Sequence, residues 1–338
     1  MNSTGATEMM NKTLMHCSML PTQDLGTLFQ RILMILEIVV GLPANIVALC
    51  IFCFHMKYWK PHTLFLFNLV LADFLLLMSV PFRIDANLRG ENWVFGPTWC
   101  RINLFMLSVN RSASIAFMTA VAVDRYFKVV HPLHCVSRIT LTQSALLSGL
   151  MWMAVIALRT PLLTINLLRQ HGNISLCRSF SSYTVVPLVI KLHYVAFTVE
   201  FLLPWFLLLF CSARITCFLL KRQVGGQKKV RRAILAVGVI TLVFTFCFMP
   251  SVLTGLGGVY IKYFHPKDCM SYNQITRVFV LCIGFTYFNS ALDPIVYAFC
   301  SSMFRDAFKS FFSHLGYVKN NARADNTVTA EQHKLSDY

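Results

Sequence analysis

Residues 101–126 read RINLFMLSVNRSASIAFMTAVAVDRY. A helix needs about 20 mostly apolar residues to cross the hydrocarbon core of a bilayer, and this run is long enough. It nevertheless carries an arginine, Arg111, in its upper third. A bare arginine at the centre of a membrane helix costs roughly 2.5–3.5 kcal/mol on insertion scales. A partner, a water-filled cavity or an anionic ligand must offset that cost.

The rest of the chain has the same character. Of its 338 residues, 56% are hydrophobic and 13% charged, where a soluble domain carries about 25% charged residues. Seven long apolar runs fall at about 28–55, 63–86, 101–126, 142–166, 188–220, 233–260 and 274–300. No period-two alternation suggests a barrel, so the expected fold is an all-α membrane protein, a seven-transmembrane helix bundle. Residues 1–27 precede the bundle at 28–300. Residues 301–313 follow, with Phe304, Phe308, Phe311 and Phe312 at the spacing of an amphipathic eighth helix lying on the membrane surface. The polar stretch 314–338 is expected to be a disordered tail.

Basic residues orient the bundle. Lys57 and Lys60 follow the first run, and Arg125, Lys128 and Arg138 follow the third. Arg214, Lys221, Arg222, Lys228, Lys229, Arg231 and Arg232 lie between the fifth and sixth, and five more basic residues lie in the tail. That face, with more than half of the 30 lysines and arginines, is expected to be cytoplasmic. The N-terminus is then extracellular in a multi-pass plasma-membrane protein. Sequons at Asn2, Asn11 and Asn173 fall on the outer side. The first 27 residues lack the apolar core of a cleavable signal peptide. Basic residues outnumber acidic ones in the outer half too, Glu37, Asp85 and Glu200 being among the acids there; such a field draws in anions.

Most of the twelve cysteines lie in or beside the apolar runs and serve as small apolar residues. Cys17, Cys100, Cys177 and Cys269 are on the oxidising face, where four cysteines allow three pairings. Cys100 with Cys177, and Cys17 with Cys269, is the expected set.

Several runs also hold polar residues that membrane anchoring does not require. Asp73 is at mid-membrane, and Asn45, Asn110, Ser114, Asn289, Ser290 and Asp293 are on other runs. Oxygen ligands around Asp73 would suit a hard cation, with sodium the expected ion and Asp73 its metal ligand. A satisfied polar network that fixes helix packing is the alternative.

Asn45, Asp73, Asp124-Arg125-Tyr126, Trp152, Pro204, Pro250 and Asp293-Pro294-x-x-Tyr297 follow one another on seven runs. In this pattern the chain resembles rhodopsin-like (class A) G protein-coupled receptors from about residue 28 to 312. The resemblance implies that Arg125 moves from a local pairing with Asp124 to meet a G protein. It also implies that Pro250, Pro294 and Tyr297 let the last two helices change bend. Two departures stand out. Phe248 occupies a position that is usually tryptophan, and Val230 and Arg231 replace the usual acidic partner of Arg125. Basal activity is therefore expected.

Finer stretches resemble the hydroxycarboxylic acid and oxoeicosanoid receptor clade. They include Phe52-Cys53-Phe54-His55-Met56-Lys57-Tyr58-Trp59-Lys60-Pro61, Val129-Val130-His131-Pro132, Leu209-Phe210-Cys211-Ser212-Ala213-Arg214-Ile215 and Phe285-Thr286-Tyr287-Phe288-Asn289-Ser290. The residues 80–85 and 103–114 look closest to the oxoeicosanoid branch. In this clade an arginine at the position of Arg111 grips a ligand carboxylate, a task suited to its guanidinium fork. Arg83, His193, Gly255 and Tyr287 complete the candidate ligand site. Gly255 stands where hydroxycarboxylic acid receptors usually carry a second arginine and the oxoeicosanoid branch a glycine, which is expected to leave room for an acyl tail. The alternative for Arg111 is an internal ion pair with Glu200 or Asp85, while Arg159, Lys191 and Arg277 are expected to snorkel to headgroups.

The resulting expectation is a receptor for an oxo- or hydroxy-eicosanoid, signalling through inhibitory Gi/o proteins, with arrestin and receptor kinases as further partners and no nucleic acid. No cofactor is required beyond an allosteric sodium ion. A receptor for a short hydroxy acid such as lactate or hydroxybutyrate is the alternative. A carboxylate transporter is more remote, since no inverted repeat is visible. No nucleophile–base constellation supports an enzyme.

Overall fold

The computed structural model describes residues 25–56, 58–177, 188–222, 227–265, 268–300, 304–310 and 313. Asn2, Asn11, Cys17 and the tail from 314 lie outside the described residues. Within them, seven helices are long and apolar enough to cross a membrane. The first, α1, runs from Leu25 to His55 and includes π-helical turns at Glu37–Gly41 and Ile51–His55. Then come α2 (Pro61–Leu88), α3 (Gly96–Val130), α4 (Leu141–Arg159), α5 (Leu188–Arg222), α6 (Gln227–Phe264) and α7 (Cys269–Cys300). Between α4 and α5 lies an antiparallel hairpin, β1 (Leu168–His171) and β2 (Ile174–Cys177).

Local chemistry sets the helix ends. Proline opens α2 and α3 in the first turn, where its missing N–H costs nothing. A reciprocal capping box opens α4: Gln143 N–H donates to Thr140 Oγ1 (3.2 Å), and Thr140 N–H to Gln143 Oε1 (3.0 Å). Asp268 caps α7, accepting from the Ser271 N–H at 3.0 Å, and that hydrogen bond holds its carboxyl below the usual carboxylate pKa. Most helices outrun the apolar stretches, because backbone hydrogen bonding continues past the hydrocarbon edge. The fourth does the reverse. It was expected to reach 166 but ends at Arg159, followed by a 3-10 turn over Thr160–Leu163 that contains Pro161.

Burial is inverted relative to a soluble protein. Asn45, Asp73, Asn110, Ser114, Asn289, Ser290 and Asp293 are buried, while Val39, Phe54, Met78, Met153, Leu203, Phe206 and Leu242 face outward. Lipid rather than water is the solvent that makes such a surface favourable. Asn45 Nδ2 ties α1 to α7 by donating to the Ser290 carbonyl (2.9 Å), and Trp152 Nε1 ties α4 to α2 through Asn68 Oδ1 (2.8 Å). The eighth helix, expected at 301–313, is described over 304–310. Its Phe304 is buried against Phe52 and Tyr297, with ring centroids 5.2 and 5.7 Å away.

The hairpin turns at Gly172, whose φ of 59° suits glycine, and Asn173 of the third sequon is exposed beside it. Cys100 and Cys177 form a disulfide. Cys269 is also disulfide-bonded, and Cys17, its expected partner, lies outside the described residues.

Candidate functional site

Arg111 lies in the bundle with its guanidinium carbon 3.3 Å from the centre of the Phe197 ring on α5 and 5.9 Å from that of Phe248 on α6. The ring quadrupole offsets part of the cost of burying the charge. Its Nε and Nη2 are nevertheless buried and meet no hydrogen-bond acceptor.

The acids that could have paired with it are engaged elsewhere. Glu200 is in contact with Arg159 through Oε2 and the arginine Nη2. Ser112 joins them, donating to Glu200 Oε2 (3.1 Å) and accepting from Arg159 Nε (3.0 Å) and Nη2 (2.7 Å). Arg159 is 1% exposed, so it does not snorkel to the headgroups. α4 ends at Arg159, just before the 3-10 turn, and the side chain reaches across to Glu200 on α5. Asp85 pairs at the surface with Arg89, 2.8 Å away. Arg111, Arg159 and Glu200 lie near enough for their charges to interact, and together they sum to one positive charge.

Gly255 meets the same aromatic wall from α6. A methyl group there would stand 3.3 Å from Phe279 Cε2 and 4.0 Å from Phe197 Cε1. Phe197 thus has Arg111 over its face and Gly255 at its edge. The room expected beside Gly255 is largely taken by Phe279, so the missing side chain is replaced by an aromatic surface rather than by open space.

Arg83 is placed differently. Its Nε donates to Asn103 Oδ1 and its Nη1 to the Cys177 carbonyl, both at 2.8 Å, and its guanidinium lies 5.5 Å from the centre of the Trp93 ring. Asn103 is eight residues above Arg111 on α3, a rise of about 12 Å. The two arginines therefore stand at different depths. Tyr287 packs in the upper cluster with Met34, Leu76 and Val80, within electrostatic reach of Arg83. The side chains of Lys191 and His193 lie outside the described residues. Replacing Arg83 by alanine removes two charge-assisted hydrogen bonds worth about 1.5–3 kcal/mol each. Faster hydrogen exchange in β2, with the deeper spans unchanged, is the expected result.

The inner polar cluster surrounds Asp73. Tyr297 donates its hydroxyl to Asp73 Oδ2 (3.0 Å), Asn289 Nδ2 donates to Asp293 Oδ2 (3.2 Å), and Asn110 Nδ2 donates to the Ala72 carbonyl (2.9 Å). Asp73 Oδ1, Asp293 Oδ1, Asn289 Oδ1, Ser114 Oγ and Ser290 Oγ are buried without partners. These are all oxygens, the donor set a hard monovalent cation takes. No group of three or more His, Cys, Asp or Glu among the described residues is placed to hold one metal ion.

Near the C-terminal end of α3, Lys128 holds Asp124, with Nζ 2.7 and 2.8 Å from the two carboxylate oxygens. A helix places residues four apart on one face, whereas neighbours such as 124 and 125 diverge. Phe248 is buried against Phe244, with ring centroids 5.3 Å apart. Pro250 and Pro294 lie within α6 and α7.

The profile of the 7 transmembrane receptor (rhodopsin family) matches residues 44–297. The chain belongs to that family. It is a receptor and not an enzyme. Human hydroxycarboxylic acid receptor 2 is 41% identical over 292 residues, covering 86% of this chain and 79% of its own. Human oxoeicosanoid receptor 1 is 38% identical over 283 residues, 84% of this chain and 72% of its own. The mouse 12-(S)-hydroxy-5,8,10,14-eicosatetraenoic acid receptor is 36% identical over 285 residues, 83% and 87% respectively. Membership of the hydroxycarboxylic acid and oxoeicosanoid receptor group follows, with identity leaning slightly to the former.

Sequence reasoning passed over four residues of the receptor that matter. Phe197, Phe279 and Ser112 carried no signal, since aromatic and hydroxyl residues are ordinary in spans. Glu37 did carry one, being an acid inside an apolar run, and it was counted with the outer half.

Proposed function

We propose that this receptor binds a monocarboxylate lipid, an oxo- or hydroxy-eicosanoid, from the extracellular side and signals through Gi/o. The observation that carries the reading is the buried guanidinium of Arg111, with Nε and Nη2 unpartnered while Glu200 and Asp85 pair elsewhere. One positive charge remains, and one carboxylate balances it. The adjoining surface of Phe197, Phe248 and Phe279 favours a hydrocarbon tail, whose burial contributes roughly 25 cal/mol per Å². The three relatives, all receptors named after oxygenated carboxylic acids, support the same class.

A short hydroxy acid is the second reading. It is favoured by Phe279 filling the space beside Gly255 and by the slightly higher identity to hydroxycarboxylic acid receptor 2. A sodium ion, bound as an allosteric ligand, fits the unpartnered oxygens of Asp73, Ser114, Asn289, Ser290 and Asp293. Bound there it supplies positive charge beside Tyr297; Asn110 and Tyr297 orient the surrounding groups. Arg125 is the residue offered to the G protein, with arrestin and receptor kinases as later partners.

The test is the inhibition of cyclic AMP formation, with and without pertussis toxin, by a series of carboxylates and their methyl esters. Long oxo and hydroxy acids should act at submicromolar concentration and lose activity on esterification and after toxin. Equal activity of acid and ester would remove Arg111 from ligand binding, and toxin-insensitive signalling would rule out Gi/o. Gly255→Arg extends the series. A new cation forced against Phe279 should weaken the long acids at least 10-fold and favour the short ones, whereas unchanged chain-length preference would separate Gly255 from tail selection.

A further inference from the structure

Glu200 lies at the depth of Arg111. Ser112, the next residue on α3, donates to Glu200 Oε2 at 3.1 Å, and the Glu200 charge is felt at the Arg111 guanidinium. The outward stripe of α5 is Val195, Val199, Leu202, Leu203 and Phe206, all exposed. At 3.6 residues per turn, Phe197 stands about 180° from the centre of that stripe and Glu200 about 120° from it. Both are therefore on the bundle side of α5. The Glu200 side chain is nevertheless 22% exposed. Ionisable side chains within a membrane face the bundle interior or a water-filled cavity, not lipid. The exposed part of Glu200 thus opens to the cavity beside Arg111 and Phe197.

The two oxygens of this carboxylate are not equivalent. Oε2 takes both the Ser112 hydroxyl and Arg159 Nη2. No hydrogen bond from a described residue reaches Oε1. Ser112 has nothing left to offer a ligand: its one proton goes to Glu200, and its oxygen accepts from Arg159 Nε and Nη2. Oε1 is the acceptor that this cluster leaves open. A carboxylate in an ion pair accepts hydrogen bonds and donates none. A ligand hydroxyl satisfies it, whereas a ketone oxygen has no proton to give and sets its own negative dipole against the charge.

We infer that Glu200 reads the second oxygen of the ligand, Oε1 accepting a hydrogen bond from a hydroxyl near the carboxyl end of the chain, so that the receptor takes hydroxy acids in preference to oxo acids. The inference rests on the reading that Arg111 holds the ligand carboxylate, and it selects among the acids which that reading admits. Phe197, under the Arg111 guanidinium, and Glu200 are three residues apart on α5, a rise of about 4.5 Å. The hydroxyl therefore belongs a few carbons from the carboxylate and not at the far end of the tail.

The experiment measures inhibition of cyclic AMP formation by the full-length receptor in cells, using two matched series of long-chain acids. One series carries hydrogen, hydroxyl, O-methyl or ketone at a carbon near the carboxyl end, and the other carries the same groups near the methyl end. In the first series the hydroxy acid should lead the ketone and the ether by about 10-fold or more, the size of a hydrogen bond to a charged group. In Glu200→Gln, Arg159 retains the amide oxygen and an N–H donor replaces Oε1. The ketone should then gain and the lead of the hydroxy acid disappear, whereas a purely structural role would lower every member alike. Equal wild-type potencies across the first series, or a hydroxyl preference confined to the second, would overturn the role of Glu200 while a response lost in Arg111→Ala left the carboxylate reading intact. A full response in surface-expressed Arg111→Ala would overturn both. If Glu200→Gln does not reach the surface, Arg159→Leu combined with Glu200→Leu replaces it. That variant should still respond to the unsubstituted acid with no hydroxyl preference, and a preference retained there would overturn the inference.

Discussion

Replacing Arg111 with alanine should abolish the response to carboxylates while leaving the receptor at the cell surface. Truncating one partner of a desolvated, hydrogen-bonded charge pair costs about 2–5 kcal/mol, so potency should fall by roughly 30- to several-thousand-fold. Arg111→Lys should be intermediate, since it keeps the charge and loses the fork. The sign of the effect on stability is the more discriminating part. In the ligand-free receptor the Arg111 guanidinium is buried against Phe197 with Nε and Nη2 unpartnered. Removing it deletes a desolvation penalty, and the unliganded Tm should stay level or rise. Carboxylate-induced stabilisation, present in the wild type, should vanish. A receptor that unfolds on losing Arg111 would show the residue to be structural.

Glu200→Ala should produce the opposite pattern. Arg159, 1% exposed, would lose its carboxylate partner and retain the Ser112 hydroxyl. Breaking a buried ion pair from one side costs about 3–5 kcal/mol, enough to lower surface expression sharply. The comparison that isolates the pair is Arg159→Leu combined with Glu200→Leu. Exchange of a whole buried pair for apolar residues is often neutral or stabilising, so the double variant should recover most of the lost Tm. Failure to recover would mean that Glu200 acts through something other than Arg159. Binding of carboxylates should persist in the double variant, because Arg111 remains.

The number of spans and the places of Asp73, Arg111 and Asp124 were legible in the sequence, because hydropathy fixes which residues enter the membrane. The facing of each helix was harder to read. Arg159 and Glu200 are 41 residues apart, and nothing in either run says that α4 ends at Arg159 with this side chain against Glu200. The same limit applies to Arg83, whose donors hold Asn103 and the hairpin, 20 and 94 residues away. Asp124 illustrates a simpler case. Helical spacing favours its pairing with Lys128, four residues on, and the family pattern drew attention to Arg125 instead. Glu37 was visible as an acid in an apolar run, and only packing against Gly41 and Ala291 reveals that it points inward.

The outer hairpin has a kinetic consequence. Ser175 in β2 is held from both sides, its N–H donating to Asn92 Oδ1 (3.0 Å) and its carbonyl accepting from the Trp93 N–H (2.7 Å). Two residues on, Cys177 is fixed by its disulfide and again by Arg83 at its carbonyl. A flap hinged on this strand would have to break several hydrogen bonds at once, and the disulfide would still hold it. Ligand association should therefore not depend on this strand lifting.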